Sequence, residues 1–326
     1  MTKSGRLCAL AGVMLLLSAV RAGVAADASD PPPAWAFPVN TPGPSAGSQN
    51  PKAIKHVAGS TRAYSGAELD NPYFPVDWFP REHPPMPAVV ARGVANSVPA
   101  CGFCHEATGL GGPESAALAG LPASYIVEQV GEMRAGRRRI AQAKMLAPHG
   151  MEDEARKVDT ADLQAAAAYF SRLPFRSRIR VIETDVVPKT SVQGVSVYAK
   201  APGGGTEPLG RRIVEIPQDF ADWSFGNPHG TYLAYVPKGS VRRGAALVSS
   251  VDGAAPCRTC HGADLKGTGT VPGLAGRSPS YLARQLYDIE HGTRKGPAVA
   301  LMLPEVAHIT PADRIAIVAY LASLGS

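Results

Sequence analysis

The chain has 326 residues, 45% hydrophobic and 18% charged, with 33 Lys and Arg against 27 Asp and Glu. That composition is globular and leaves room for two or three compact domains. The net charge of +6 is no argument for a nucleic-acid partner, because Lys3, Arg6 and Arg21 sit in a leader without acids and the remainder carries only +3.

Residues 1–26 read as a secretory signal peptide. Lys3 and Arg6 make the positive start, Leu7 to Val20 the apolar run, and Val24-Ala25-Ala26 the small residues before a cut at Asp27. Gly12 and Ser18 interrupt the run, which is also short for a membrane span. Nothing else in the chain is apolar enough to span, so export without a membrane span in the mature chain is expected, with an uncleaved anchor as the alternative. Cys8 is expected to leave with the leader.

Residues 27–85 form a proline-rich N-terminal arm that opens Pro31-Pro32-Pro33-Ala34-Trp35-Ala36-Phe37-Pro38, a run suited to extended polyproline geometry. Its aromatics, Trp35, Phe37, Tyr64, Tyr73, Phe74, Trp78 and Phe79, predict an arm that packs across the domains C-terminal to it.

Two stretches then read C-x-x-C-H: Cys101 to His105 and Cys257 to His261. Two thiols three residues apart on one helical turn face the same way, so both can form thioethers with haem vinyl groups, and the adjacent His can ligate the iron. A zinc knuckle or redox dithiol is the alternative. All four cysteines beyond the leader fall into these two copies, each with His at the same offset. The pattern predicts two covalent haem c groups on Cys101, Cys104, Cys257 and Cys260, with His105 and His261 as proximal iron ligands. Export implies an oxidising compartment, where these thiols are consumed by haem and not by disulfides.

The first copy is placed at 86–175. A short helix is expected near Ala88–Asn96 and an amphipathic one over Ser124–Ala135, with Ile126, Val130 and Met133 at i, i+4 and i+7. Arg137-Arg138-Arg139 reads as a solvated helix exit, or as a docking patch for an acidic partner. A last helix runs from an Asp159/Thr160 cap to Leu173, stopped by Pro174. Within residues 176–238, Arg178–Val181 and Val195–Tyr198 alternate, Arg212–Ile216 is strand-like and Tyr232–Val236 is another candidate strand. They predict a small antiparallel β-rich insertion, with His229 in a surface turn and not at iron. The second copy, 239–326, repeats the first at an offset of 156, pairing Cys101/Cys257, Tyr125/Tyr281 and Gln129/Gln285. The terminal helices pair at 151, as in Tyr169/Tyr320 and Leu173/Leu324. Five extra residues therefore lie between Gly136 and Tyr169.

A low-spin carrier needs a distal ligand on each iron, and methionine raises the potential where histidine lowers it. Met302 is the only Met after the second motif and precedes the last helix, where a distal loop belongs. For the first copy, counting back from the terminal helix favours Met151, which precedes Tyr169 by 18 residues as Met302 precedes Tyr320. Counting forward from the motif His gives 41 residues to Met302, 40 to Met145 and 46 to Met151. Met151 is preferred because an insertion upstream can bulge into solvent. Met145 is the alternative, and His149 would make a bis-His site.

With these residues in place, the chain resembles the class I c-type cytochromes, specifically the tandem dihaem, cytochrome-c4-like group. The resemblance rests on Cys257 to Gly262, Pro272 to Gly276, Tyr281, Gln285, Met302 and Ile317 to Leu321, and more loosely on Cys101 to His105, Leu118 to Pro122, Tyr125, Gln129 and Ala165 to Phe170. Glu106 stands where the motif glycine is expected. The resemblance implies a mainly α fold of two tandem class I domains. It also implies electron shuttling in the periplasm between a dehydrogenase or respiratory complex as donor and an oxidase or reductase as acceptor. Pro272 would be the family's proline beside the proximal His, and Pro113 is a looser counterpart in the first copy, since the 156 offset puts Ala116 opposite Pro272. An electron carrier without substrate chemistry is the leading expectation. A dihaem peroxidase, a sulfur-compound dehydrogenase or a cytochrome subunit of a membrane complex are the alternatives.

Overall fold

The computed structural model describes residues 31–40, 50–94, 97–249 and 256–325. The expected leader, 1–26, lies outside the described residues. The fold is mainly helical, with short strands between two helical groups.

The arm is pinned at both ends. Near its start, Ala36 and Phe37 are fully buried, and Phe37 meets Tyr287 edge-on with ring centroids 5.3 Å apart. Burying one such ring is worth roughly 1.5–3 kcal/mol. Farther on, Val57, Leu69 and Trp78 form a small core of their own, and Trp78 Nε1 donates to Phe225 O at 2.7 Å. The helix Gly66–Leu69 starts on a reciprocal cap in which Ser65 Oγ accepts from Glu68 N and the Glu68 carboxylate accepts from Ser65 N. Phe74 stays 61% exposed, so not every arm aromatic packs.

The first helical group contains Ala88–Ala91, the motif helix Cys101–His105, Ala123–Arg134, Leu146–Lys157 and Thr160–Arg172. Val89, Val90, Ile126, Ala166, Phe170 and Leu173 fill its core. The leading helix is shorter than expected, because Gly93 turns the chain at φ +59° and Val94 N bonds back to Val98 O. Asp159 caps the last helix by accepting from Asp162 N. The helix Leu146–Lys157 was not foreseen. It takes in the end of the stretch upstream of Met151, where the extra residues were expected to bulge into solvent, and places Met151 mid-helix.

The strands correct the antiparallel expectation. Tyr232–Val236 is the centre of a three-stranded sheet, antiparallel to Val214–Pro217 but parallel to Ile179–Glu183. The parallel pairing follows from a long excursion between the two strands, through the ladders Val186–Pro188 with Thr206–Pro208 and Thr190–Gln193 with Val197–Lys200. The central strand is buried at Leu233, Ala234 and Val236, with Val187, Leu209 and Ile216 around Leu233 and Ala322 of the last helix against Ala234. A strand covered on both faces carries no alternation.

In the second helical group, Ser240–Ser249 crosses the terminal helix Pro311–Ser323 at Gly244. A Cβ there would run into the Ala316 carbonyl and stand 2.7 Å from Tyr320 Cβ. Glycine is required by that close crossing. Pro279–Glu290 completes the group, capped by Ser278 Oγ. Its core takes in Phe37 and Met145 from elsewhere in the chain.

Candidate haem sites

The two motif helices present their histidines identically. His105 Nδ1 lies 2.8 Å from Ala116 O, and His261 Nδ1 lies 2.8 Å from Pro272 O. A carbonyl only accepts, so each Nδ1 carries the proton and each Nε2 keeps its lone pair for a metal. Burial holds both imidazoles below their usual pKa, hence neutral. The carbonyls come from residues related by the 156 offset, so Ala116 does for the first copy what Pro272 does for the second. Glu106 leaves the first motif at φ 61° and Gly262 leaves the second at φ 87°. The first copy thus places an ordinary side chain in a conformation that favours glycine.

A cavity of about 1250 Å³ opens beside the first motif. It exceeds the roughly 300–1,000 Å³ of typical small-ligand pockets. Cys101, Cys104 and His105 form one wall, and Met133, Met151, Val130, Leu163 and Phe170 contribute others. Both cysteines line this space, Cys101 half-buried and Cys104 exposed, and the surrounding protein pushes Cys101 up to about 12 and Cys104 up to about 11 by desolvation. Among the described residues no cluster of His, Cys, Asp and Glu could hold a bare metal ion. The donor set and the space therefore fit a haem.

The distal candidates separate spatially. Met151 lines the cavity and packs with Val130, Ala155 and Leu163. Met145 is fully buried in the core of the second group. His149 is not part of the cavity wall, and its Nδ1 lies 3.7 Å from Glu152. Met302 sits between the short helices Pro297–Ala300 and Leu303–Val306, partly buried against the second core. Met133 also reaches the first cavity, which its place on an apolar helix stripe had concealed.

Arg138 is not a solvated exit residue. Its guanidinium donates to Gln129 Oε1 at 3.0 Å, Tyr281 Oη at 3.1 Å and Gln285 Oε1 at 3.2 Å. Arg294 donates to Gln285 Oε1, Tyr125 Oη and Gln129 Oε1, each at 3.0 Å. All three residue types recur at the 156 offset, so each arginine bridges its own group to the other in a pseudo-two-fold exchange. Main-chain bonds from Arg139 N to Thr293 O and from Lys295 N to Arg137 O close the seam. Arg137 pairs instead with Glu132 at 2.6 Å. His229 lies on the surface, as expected, 2.9 Å from Glu82.

The arm and the β segment also wall the first cavity, through Leu69, Pro75 and Val76, and through Val192, Trp223 and Phe225. No motif in the sequence announced this.

Residues 242–325 match the cytochrome c family profile. Cytochrome c-554(548) of Halomonas halodenitrificans is 37% identical over 68 residues, covering 21% of this chain and 82% of that protein. The chain belongs to the cytochrome c family. Covalent haem c and electron transfer are the family's cofactor and chemistry. This cytochrome is also 26% identical over 226 residues to a thiosulfate dehydrogenase electron acceptor of Thiomonas intermedia, covering 68% of the chain and 77% of the relative. Among solved structures, thiosulfate dehydrogenase (TsdBA) of Marichromatium purpuratum aligns at a TM-score of 0.49 and 25% identity, over 72% of this chain and 38% of that one. Among the described residues no helix is long and apolar enough to cross a membrane.

Proposed function

We propose that this cytochrome is a periplasmic dihaem electron carrier. Its parts would be the arm 27–85, a first haem domain 86–175, a β-rich insertion 176–238 and a second haem domain 239–326. Cys101 and Cys104 would hold one haem and Cys257 and Cys260 the other. His105 and His261 would be the proximal ligands, with Met151 and Met302 distal. The observation that carries this reading is the matched pair of imidazoles, each fixed by a carbonyl 11 residues downstream with Nε2 free.

When bound, haem supplies the one-electron chemistry. The chain orients the imidazoles, keeps them unprotonated and, at the first site, supplies a largely apolar wall. Met151 is supported over Met145 because only Met151 lines the space that Cys101 and Cys104 face. The Thiomonas relative, named as an electron acceptor of a dehydrogenase, supports a dehydrogenase as donor, with an oxidase or reductase downstream.

The second reading is a redox enzyme with a displaceable distal ligand. Optical and magnetic spectra in both redox states, with pyridine haemochrome quantitation, separate the two. Two low-spin haems per chain are expected for the carrier. A high-spin fraction would favour the enzyme, and a single haem would end the dihaem reading.

A further inference from the structure

We propose that Glu114 is a redox-linked proton acceptor for the first haem, so that electron uptake at that haem draws one proton from solution. The proposal rests on haem attachment at Cys101 and Cys104. Glu114 lines the same cavity as Cys104 and His105. Its Oε1 accepts from Trp223 Nε1 at 3.2 Å. Its Oε2 is shielded from solvent and has no hydrogen-bond partner among the described residues. A carboxylate in that setting is half solvated by the protein, and a small change in nearby charge decides its protonation.

The neighbouring charges leave this decision to Glu114. Glu106, beside the motif, is tied by Arg178 at 2.8 Å. Arg284, from the Pro279–Glu290 helix, spends its guanidinium on the carbonyls of Ala36 and Pro113. Tyr232 of the central strand also lies within electrostatic range and is buried. Burial, the largest influence, pushes the Glu114 carboxyl up to about 7. Adding an electron to the haem removes one positive charge from the cavity and favours the neutral acid. Ferric iron, one electron from the redox partner, one solvent proton and the Glu114 carboxylate give ferrous iron and the Glu114 carboxylic acid. Only an O–H bond forms. The 156 offset places Thr270 opposite Glu114, so the second haem has no such group there.

The test is a spectroelectrochemical titration of the holoprotein across pH 5–9. One haem's potential is expected to fall by up to about 59 mV per pH unit, which is a tenfold change in proton activity for a one-electron couple, while the other stays flat at those pH values. Glu114→Gln should remove the slope and the reduced-minus-oxidised infrared band of a protonated carboxyl. Trp223→Phe deletes the donor that favours the carboxylate and should move the sloping window to higher pH. A slope that persists in Glu114→Gln places the proton on another group and overturns the proposal. Should Glu114→Gln fail to fold, an unmoved window in Trp223→Phe overturns it instead. A wild-type chain lacking the first haem by haemochrome count overturns the haem reading itself, a result distinct from a haem-replete chain without the effect.

Discussion

The two motif helices hold their histidines in the same way, yet their surroundings have little in common. Around the second, a helical group closes on itself through the Gly244 crossing, and the methionine turn leaves Leu301 77% and Leu303 46% exposed. Around the first, the leading helix shrinks to Ala88–Ala91, the methionine segment becomes a 12-residue helix, and the arm and β segment supply wall residues. The difference teaches that the same motif geometry tolerates two kinds of support: at the first copy the arm and β segment line the cavity, while at the second they join the core through Phe37, Ile213 and Val236. The family profile falls on 242–325.

The largest test of that contrast is deletion of the first attachment. Replacing Cys101 and Cys104 with Ala should leave one haem per chain by haemochrome assay, with the second haem's spectrum unchanged. A change in both spectra would show that the copies are not independent.

The methionines sharpen the contrast further. Met145→Ala should cost about 2–5 kcal/mol in denaturant unfolding, because the residue fills the second group's core, while leaving every thioether-to-iron band in place. Met151→Ala should remove one such band and lower one potential. The opposite pattern would return the ligand to Met145.

Gly244→Ala should cost about 1–3 kcal/mol, the usual penalty for overpacking. The loss should appear as faster hydrogen exchange in Ser240–Ser249 and Pro311–Ser323, with the first group unaffected.

The smallest effect concerns the arm. His83 has its pKa raised chiefly by the Asp77 carboxylate, 3.2 Å from Nε2. A raised value means that the added stability is fully present below the unfolded pKa of about 6.5 and is lost as pH rises through the folded one. Replacing His83 with Gln should flatten the stability profile over that window, read as the midpoint of denaturant unfolding against pH.

Much of the site was legible because covalent attachment and imidazole ligation demand fixed residues at fixed spacing. Cys101 to His105, Cys257 to His261 and the capped helix at Asp159 could all be placed from local pattern. The 156 offset extends to Arg138 and Arg294, which marks them as a matched pair, but the seam they build depends on how the two groups pack. What escaped was decided by tertiary contact. The helix Leu146–Lys157 contains Pro148 and Gly150 and is a weak helix former by propensity. It is held by Ala155 against Val130 and by Arg134 bonding to Ala155 O and Val158 O. The parallel pairing of Ile179–Glu183 with Tyr232–Val236 spans some fifty residues of chain that carry no local sign of it.

The seat of Phe37 sets an order of events in folding. Ala36 O accepts from Arg284, 248 positions later, and the Phe37 ring rests on Tyr287. A chain emerging from its N-terminus makes these residues among the first and their receptor among the last. The strap can lodge only after the second helical group exists, so it closes the molecule late, across 248 positions of chain.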